Sequence, residues 1–177
     1  MSSFFEMVQN RESCRNYAEI PVEKEKLLQC VEAARLAPSA CNSQPWHFTV
    51  VSDPLQTKKL ADCLQDLGMN QFTDRCPAFI VINEERANLS ATVGGRFKSQ
   101  EFASVDIGIA AAQICYAALD QGLSTCILGW FHEGKLKKLL EISDTKRIRL
   151  VIAVGYAADA SLRPKKRKAL EEIATFL

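Results

Sequence analysis

Apolar positions along this chain switch repeatedly between helical and extended spacing. Phe4, Phe5 and Val8 share one helical face, and Ser2 or Ser3 stands where an N-cap belongs. Leu27, Leu28, Val31 and Ala34 form a second apolar stripe, in a helix opened by Pro21 and ended near Pro38. Residues 47–52 (HFTVVS) predict a strand, and Pro54 suits the first turn of a helix running to Gly68. Residues 78–83 (AFIVIN) are a short continuous apolar run, the pattern of a buried strand. Residues 84–99 are polar and contain Gly94-Gly95, which predicts a loop. The longest helix is predicted over 101–121, with Val105, Ile109, Ala112, Tyr116 and Leu119 at helical spacing and Gly122 to end it. Its many alanines predict close packing on more than one side. Residues 124–129 (STCILG) predict an extended segment, 133–140 a short helix, 149–155 (RLVIAVG) a buried strand, and 170–176 a short helical piece.

Helices and strands are thus mixed over 177 residues with no internal repeat, the size of one domain spanning 1–177. With 47% hydrophobic and 24% charged residues the composition excludes a disordered or fibrous chain. A net charge of +1 gives no global field for nucleic acid or membrane. The seven cysteines (Cys14, Cys30, Cys41, Cys63, Cys76, Cys115 and Cys126) are odd in number and show no CxxC pair, and the histidines are His47 and His132. No zinc or iron–sulfur ligand set follows from them, so no metal is expected. Most of these thiols are expected to be small buried hydrophobes. No signal peptide or bilayer-spanning stretch is read, and free thiols point to a reducing, cytoplasmic location. No GxGxxG follows the first strand, and neither GxxxxGK[ST] nor HExxH occurs.

Three segments carry candidate chemistry. Arg11-Glu12-Ser13-Cys14-Arg15 places two guanidinium groups around a hydroxyl. Such a set suits phosphate, and equally a solvated polar turn. Residues 37–48 (APSACNSQPWHF) hold small polar residues between two prolines, in an extended, rigid loop. Asn and Gln there offer donors and acceptors that match the edge of a flavin ring, while Trp46 reads better as core or interface. Arg163-Pro164-Lys165-Lys166-Arg167-Lys168 is a basic run, read as a solvated tail or as a partner of the N-terminal arginines around one phosphate. It has no interleaved aromatic residue, which disfavours nucleic acid. His132 lacks a triad context and is expected at the surface, and His47 is expected to be structural. No dedicated acid–base residue stands out, as suits chemistry carried by a cofactor.

Together these segments resemble the FMN-dependent nitroreductase family. Residues 11–15 resemble its R-x-S-x-R/K signature, and 37–46 its A-P-S-x-x-N-x-Q-P-W signature, the more specific of the two. Asn70-Gln71, the helix from Asp106 onward, Ile127-Leu128-Gly129-Trp130 and residues 165–172 resemble further family segments in the same order. The resemblance implies an α+β fold with a mostly antiparallel central sheet flanked by helices. It also implies an intertwined homodimer with FMN at the subunit interface. Arg11, Ser13, Lys165 and Arg167 would hold the phosphate, and Arg15 would stand beside the pyrimidine side of the flavin. Pro38, Ser39 and Asn42 would come from the other subunit. Asn70 or Gln71 would reach the ring edge, and Leu128 and Gly129 would offer backbone donors near N5.

The implied activity is ping-pong hydride transfer from NADH or NADPH to a nitroaromatic, quinone or similar small acceptor, with no catalytic side chain. Alternatives are a reductase or dehydrogenase of another natural substrate, or a non-catalytic FMN-binding protein. Three features depart from the family pattern. Ala40 and Cys41 replace common hydroxyl residues, which puts a thiol in the flavin loop and raises a redox role for Cys41. Glu12 places a carboxylate between the arginines, where it should point away from a phosphate. The short segment between Asn83 and Phe102 implies a substrate pocket that is either more open or gated by the Gly94-Gly95 stretch.

Overall fold

A computed structural model of the chain describes residues 3–86, 100–159 and 161–177. Helix α1 (Phe4–Asn10) starts at a reciprocal capping box: Ser3 Oγ accepts the Glu6 N–H at 3.2 Å, and the Glu6 carboxylate accepts the Ser3 N–H at 2.7 Å. Helix α2 (Lys24–Arg35) begins three residues beyond Pro21, because residues up to its cap Glu23 stay extended and bury Val22. Its buried face is Leu27, Cys30 and Ala34, so Cys30 takes the place expected of Leu28, which is exposed. Strand β1 (Trp46–Val51) precedes α3 (Pro54–Leu64), where Asp53 accepts the N–H groups of Leu55 and Gln56, each at 3.0 Å. That helix stops short of Gly68 because the backbone turns left-handed at Leu67 (φ 52°) and Gly68 (φ 77°).

Strand β2 (Ala78–Glu84), helix α4 (Phe102–Asp120), strand β3 (Ser124–Leu128), helix α5 (Glu133–Leu139) and strand β4 (Arg147–Gly155) complete the regular elements. Gly122 (φ 76°) ends α4 as expected, whereas the helical piece expected over 170–176 is one 3-10 turn, Leu170–Glu172. The predicted Gly94-Gly95 loop lies outside the described residues.

The strands form one antiparallel sheet in the order β1-β2-β4-β3, with a bulge at Ile82/Asn83. Central strands β2 and β4 are buried on both faces, which is why they read as unbroken apolar runs. Ile80, Ile82, Ile152 and Val154 face α2 and α4, packing with Leu27, Ile107 and Ile114. Phe79, Val81, Val151 and Ala153 face α3 and α5, packing with Leu60, Leu64 and Leu136. Trp46 is buried in the first of these cores, 6.3 Å from the Phe48 ring. Helix α4 is long and apolar enough to cross a bilayer by length and composition, unlike the sequence expectation. Here it buries Ile107, Ala110, Ala111, Ile114, Cys115 and Ala118 inside the fold. Six of the seven cysteines are buried and Cys41 is exposed. Burial pushes the thiols of Cys30 and Cys76 up to about 11 and about 12.

Candidate functional site

The site grows from the way α1 ends. Arg11 closes the helix, donating its N–H to Met7 O at 2.8 Å, and then turns extended. The chain next runs parallel to the outer edge of β3: Ser13 pairs with Thr125, and the Cys14 N–H donates to Thr125 O at 2.9 Å. Tyr17 anchors the far end of this strap. It is fully buried, and its hydroxyl donates to Ala153 O at 3.2 Å. Burial holds that hydroxyl far above its ordinary range, so it stays a neutral donor. Cys14 packs into the core, and the strap from Arg11 to Asn16 borders a cleft of about 410 Å³ that Arg11 and Arg15 both line.

Cys115, Leu119, Leu123 and Thr125 line that cleft together with the two arginines. The charges are felt by two buried thiols, Cys115 in the cleft's lining and Cys126 on β3. Burial raises the Cys115 thiol while Thr125 and Arg11 act the other way, and burial raises the Cys126 thiol against Arg15 and Ser13. The site thus pairs guanidinium groups at a sheet edge with an apolar wall, a combination suited to a ligand with an anionic end and a flat apolar end.

The basic tail returns to the same place. Arg163 donates from its backbone N and from Nε to the Glu12 carboxylate, each at 3.2 Å, and its Nη2 reaches Ser13 O at 2.5 Å. Lys165 donates to Gln9 O, at the end of α1, while Arg167 bonds the adjacent Lys166 O at 2.7 Å. Glu12 therefore lines the cleft but is engaged by Arg163.

A second group of predicted residues lies at the other end of β3. Asn70 (φ 55°) donates from Nδ2 to Leu64 O at 3.1 Å and to Trp130 O at 3.0 Å. It thereby fixes the chain that follows Leu128 and Gly129. Trp130 answers with an Nε1–H to Asp66 O at 3.1 Å. Gln71 is exposed and donates to Gly68 O at 3.3 Å. Leu128 is buried and Gly129 exposed, with open space where a Cβ would stand. The strap itself ends at the opposite end of β3, where Tyr17 pairs with Ala157 and the Ala18 N–H donates to Tyr156 O at 2.9 Å.

Pro38, Ser39 and Asn42 are not brought into the cleft. Their loop is tied to the start of α4, where both oxygens of Asp106 accept the Ala40 N–H at 3.2 and 3.1 Å. Asp106 to the cleft residues Cys115 and Leu119 is about 14–20 Å of helix at 1.5 Å per residue. His132 is exposed and caps α5, accepting the Lys135 N–H at 3.2 Å. His47 stands exposed near the start of edge strand β1. The sequence reading missed Thr125 and Asp106. The signal for Asp106 was available, since it is the one charged residue between Glu101 and Asp120.

A model of the nitroreductase family matches residues 8–68 and 55–156. The chain is 26% identical to the oxygen-insensitive NADPH nitroreductase of Helicobacter pylori, over 92% of each protein. The crystal structure of a nitroreductase family protein from Streptococcus pneumoniae superposes with a TM-score of 0.83 at 26% identity, covering 99% of this chain and 100% of that one. A structure from Exiguobacterium sibiricum, described as a complex with FMN, also gives 0.83 at 22% identity, covering 100% and 98%.

Proposed function

The chain belongs to the nitroreductase family, and on that premise we propose that it is an FMN-dependent NAD(P)H oxidoreductase acting on a small acceptor. The observation that carries this reading is the strap itself: Arg11 and Arg15 on one sheet edge, beside a cleft whose apolar wall includes Leu119 and Leu123. The residues present fit FMN. The cleft lies within the roughly 300–1,000 Å³ of small-molecule sites, and Arg163 draws off the Glu12 charge that would oppose a phosphate. When bound, FMN supplies the redox chemistry, a hydride received from NADH or NADPH and electrons given in ping-pong order to a nitroaromatic, quinone or similar acceptor.

The chain supplies binding, orientation and charge. Arg11 and Ser13 would hold the phosphate, with Lys165 and Arg167 delivered by the tail. Arg15 would put a fixed cation beside the pyrimidine edge, where negative charge develops on reduction. Leu128 and Gly129 would present backbone donors near N5. Asn70 would act by holding that turn through Trp130 O, which favours Gln71 for direct contact.

Pro38, Ser39 and Asn42 lie too far along α4 to close the same cleft, so a second copy would bring its own loop. Exposed apolar side chains support such a homodimer: Phe4 and Phe5 on α1, Val105 on α4, and Leu170, Ile173 and Phe176 in the tail.

The test is the visible spectrum of the purified protein and its bleaching by NADH or NADPH without oxygen. Flavin bands, release of FMN on heating, and bleaching are expected. A colourless protein that takes up no added FMN would overturn the reading. Bound FMN that no nicotinamide bleaches would leave a binding protein without this activity.

A further inference from the structure

Asp106 is a carboxylate only 5% exposed, on the second turn of a helix otherwise free of charge as far as Asp120. Burying such a group carries a large desolvation penalty unless hydrogen bonds meet it. What it meets is the Ala40 N–H, through both oxygens, at 3.2 and 3.1 Å. That loop is unusual. Cys41 (φ 51°), Asn42 (φ 51°) and Gln44 (φ 47°) all lie in the left-handed region, and none is glycine. L-residues hold that conformation only where their surroundings over-determine it.

Part of the determination is internal. The Asn42 N–H donates to Ser39 O and the Ser43 N–H to Ala40 O, both at 3.0 Å. The Gln44 N–H donates to Ser39 Oγ at 2.9 Å, and Gln44 Nε2 to Asn42 Oδ1 at 3.2 Å. These bonds set the loop's shape from within. The bond to Asp106 is of another kind. It is charge-assisted, it joins the loop to a helix, and α4 is fixed in the core from Ile107, the next residue, onward.

We infer that Asp106 is a positioning residue, which fixes the strained Ser39–Gln44 loop on α4 so that Ser39 and Asn42 are presented to the flavin. The role rests on the reading that this loop meets FMN. It makes no contact with the reacting atoms and acts through Ala40. Asparagine at 106 keeps one acceptor oxygen. Leucine keeps the approximate volume but leaves the Ala40 N–H without its partner.

The experiment compares wild type, Asp106→Asn and Asp106→Leu by two readouts. One is the alkylation rate of Cys41, located by peptide mapping without FMN present. The other is the FMN Kd from fluorescence titration, with circular dichroism to show that each protein is folded. Asp106→Leu is expected to change the Cys41 rate severalfold and to weaken FMN by about tenfold, as for one lost charge-assisted bond. Asp106→Asn should recover most of both. If Asp106→Leu lowers Tm yet leaves the Cys41 rate and the Kd at wild-type values, the residue is merely structural and the inference is wrong. Should that variant not fold, Asp106→Asn decides, with smaller shifts in both readouts expected and their absence counting against the role. A wild-type protein that binds no FMN would sink the cofactor reading, whereas an unchanged Cys41 rate sinks the positioning role by itself.

Discussion

At Gly155 a single hydrogen stands where any side chain would collide. A Cβ there would lie 2.7 and 2.8 Å from Pro77 Cδ and Cγ and 2.9 Å from Tyr17 Cδ1, so two rigid rings would both have to give. Gly155→Ala is expected to lose about 1–3 kcal/mol, the usual cost of overpacking, read as a lower midpoint in urea. The thiols make a second residue-scale case. FMN-free folded protein at pH 8 should expose one fast-reacting thiol, Cys41, and all seven after unfolding, because the other six are buried. Two fast thiols in the native state would contradict the packing described. A third case is Glu85, whose carboxyl is held below its ordinary range by the Lys146 ammonium 2.5 Å away. A lowered folded pKa means that the contribution is present at neutral pH and is lost as pH falls from the ordinary value near about 4.3 through the lower folded one. Glu85→Gln should therefore lower Tm at pH 7 and not at a pH where Glu85 is protonated in both states.

At the scale of elements, the strap and the tail form one clasp. Glu12 joins them through Arg163, and Lys165 reaches the end of α1. Arg163→Glu should set like charges against each other, free the tail to trypsin, and weaken FMN by about fivefold at most, the range of an exposed ion pair. The paired change Glu12→Lys with Arg163→Glu should restore protection. The elements also show what periodicity could and could not give. Buried runs such as residues 78–83 and the helix start at Pro54 were readable because one face or one terminus decides them locally. The left-handed stop at Leu67, the exposed Leu28 and the straightened tail depend on packing partners that no local window contains. The same division holds in the site. The spacing of Arg11, Ser13 and Arg15 was visible, but the pairing of Glu12 with a residue 151 positions away was not. Nor was the tie between Ala40 and Asp106.

At the scale of the molecule, a monomer would leave a great deal of apolar surface in water. Phe176 is 90% exposed, and Phe4 and Phe5 are 65% and 69% exposed. Sedimentation is expected to report a dimer that resists dilution to micromolar concentrations; a monomer at those concentrations would remove the source of the second loop. If the proposed Arg11, Lys165 and Arg167 hold the phosphate, FMN affinity should fall as salt rises, because such surface charges are screened.

The strap has a further consequence through its place on the sheet. An uncovered edge strand invites pairing with other chains, and residues 13–14 occupy the outer edge of β3. The segment proposed to grip the cofactor thus also shields the sheet. A ligand present at about 100 times its Kd stabilises the state that binds it by about 2.7 kcal/mol, so flavin supply would govern how much of the newly made protein stays in solution. Cells short of riboflavin should accumulate this chain in inclusion bodies, and feeding the vitamin during synthesis should return it to the supernatant before any enzyme assay is run.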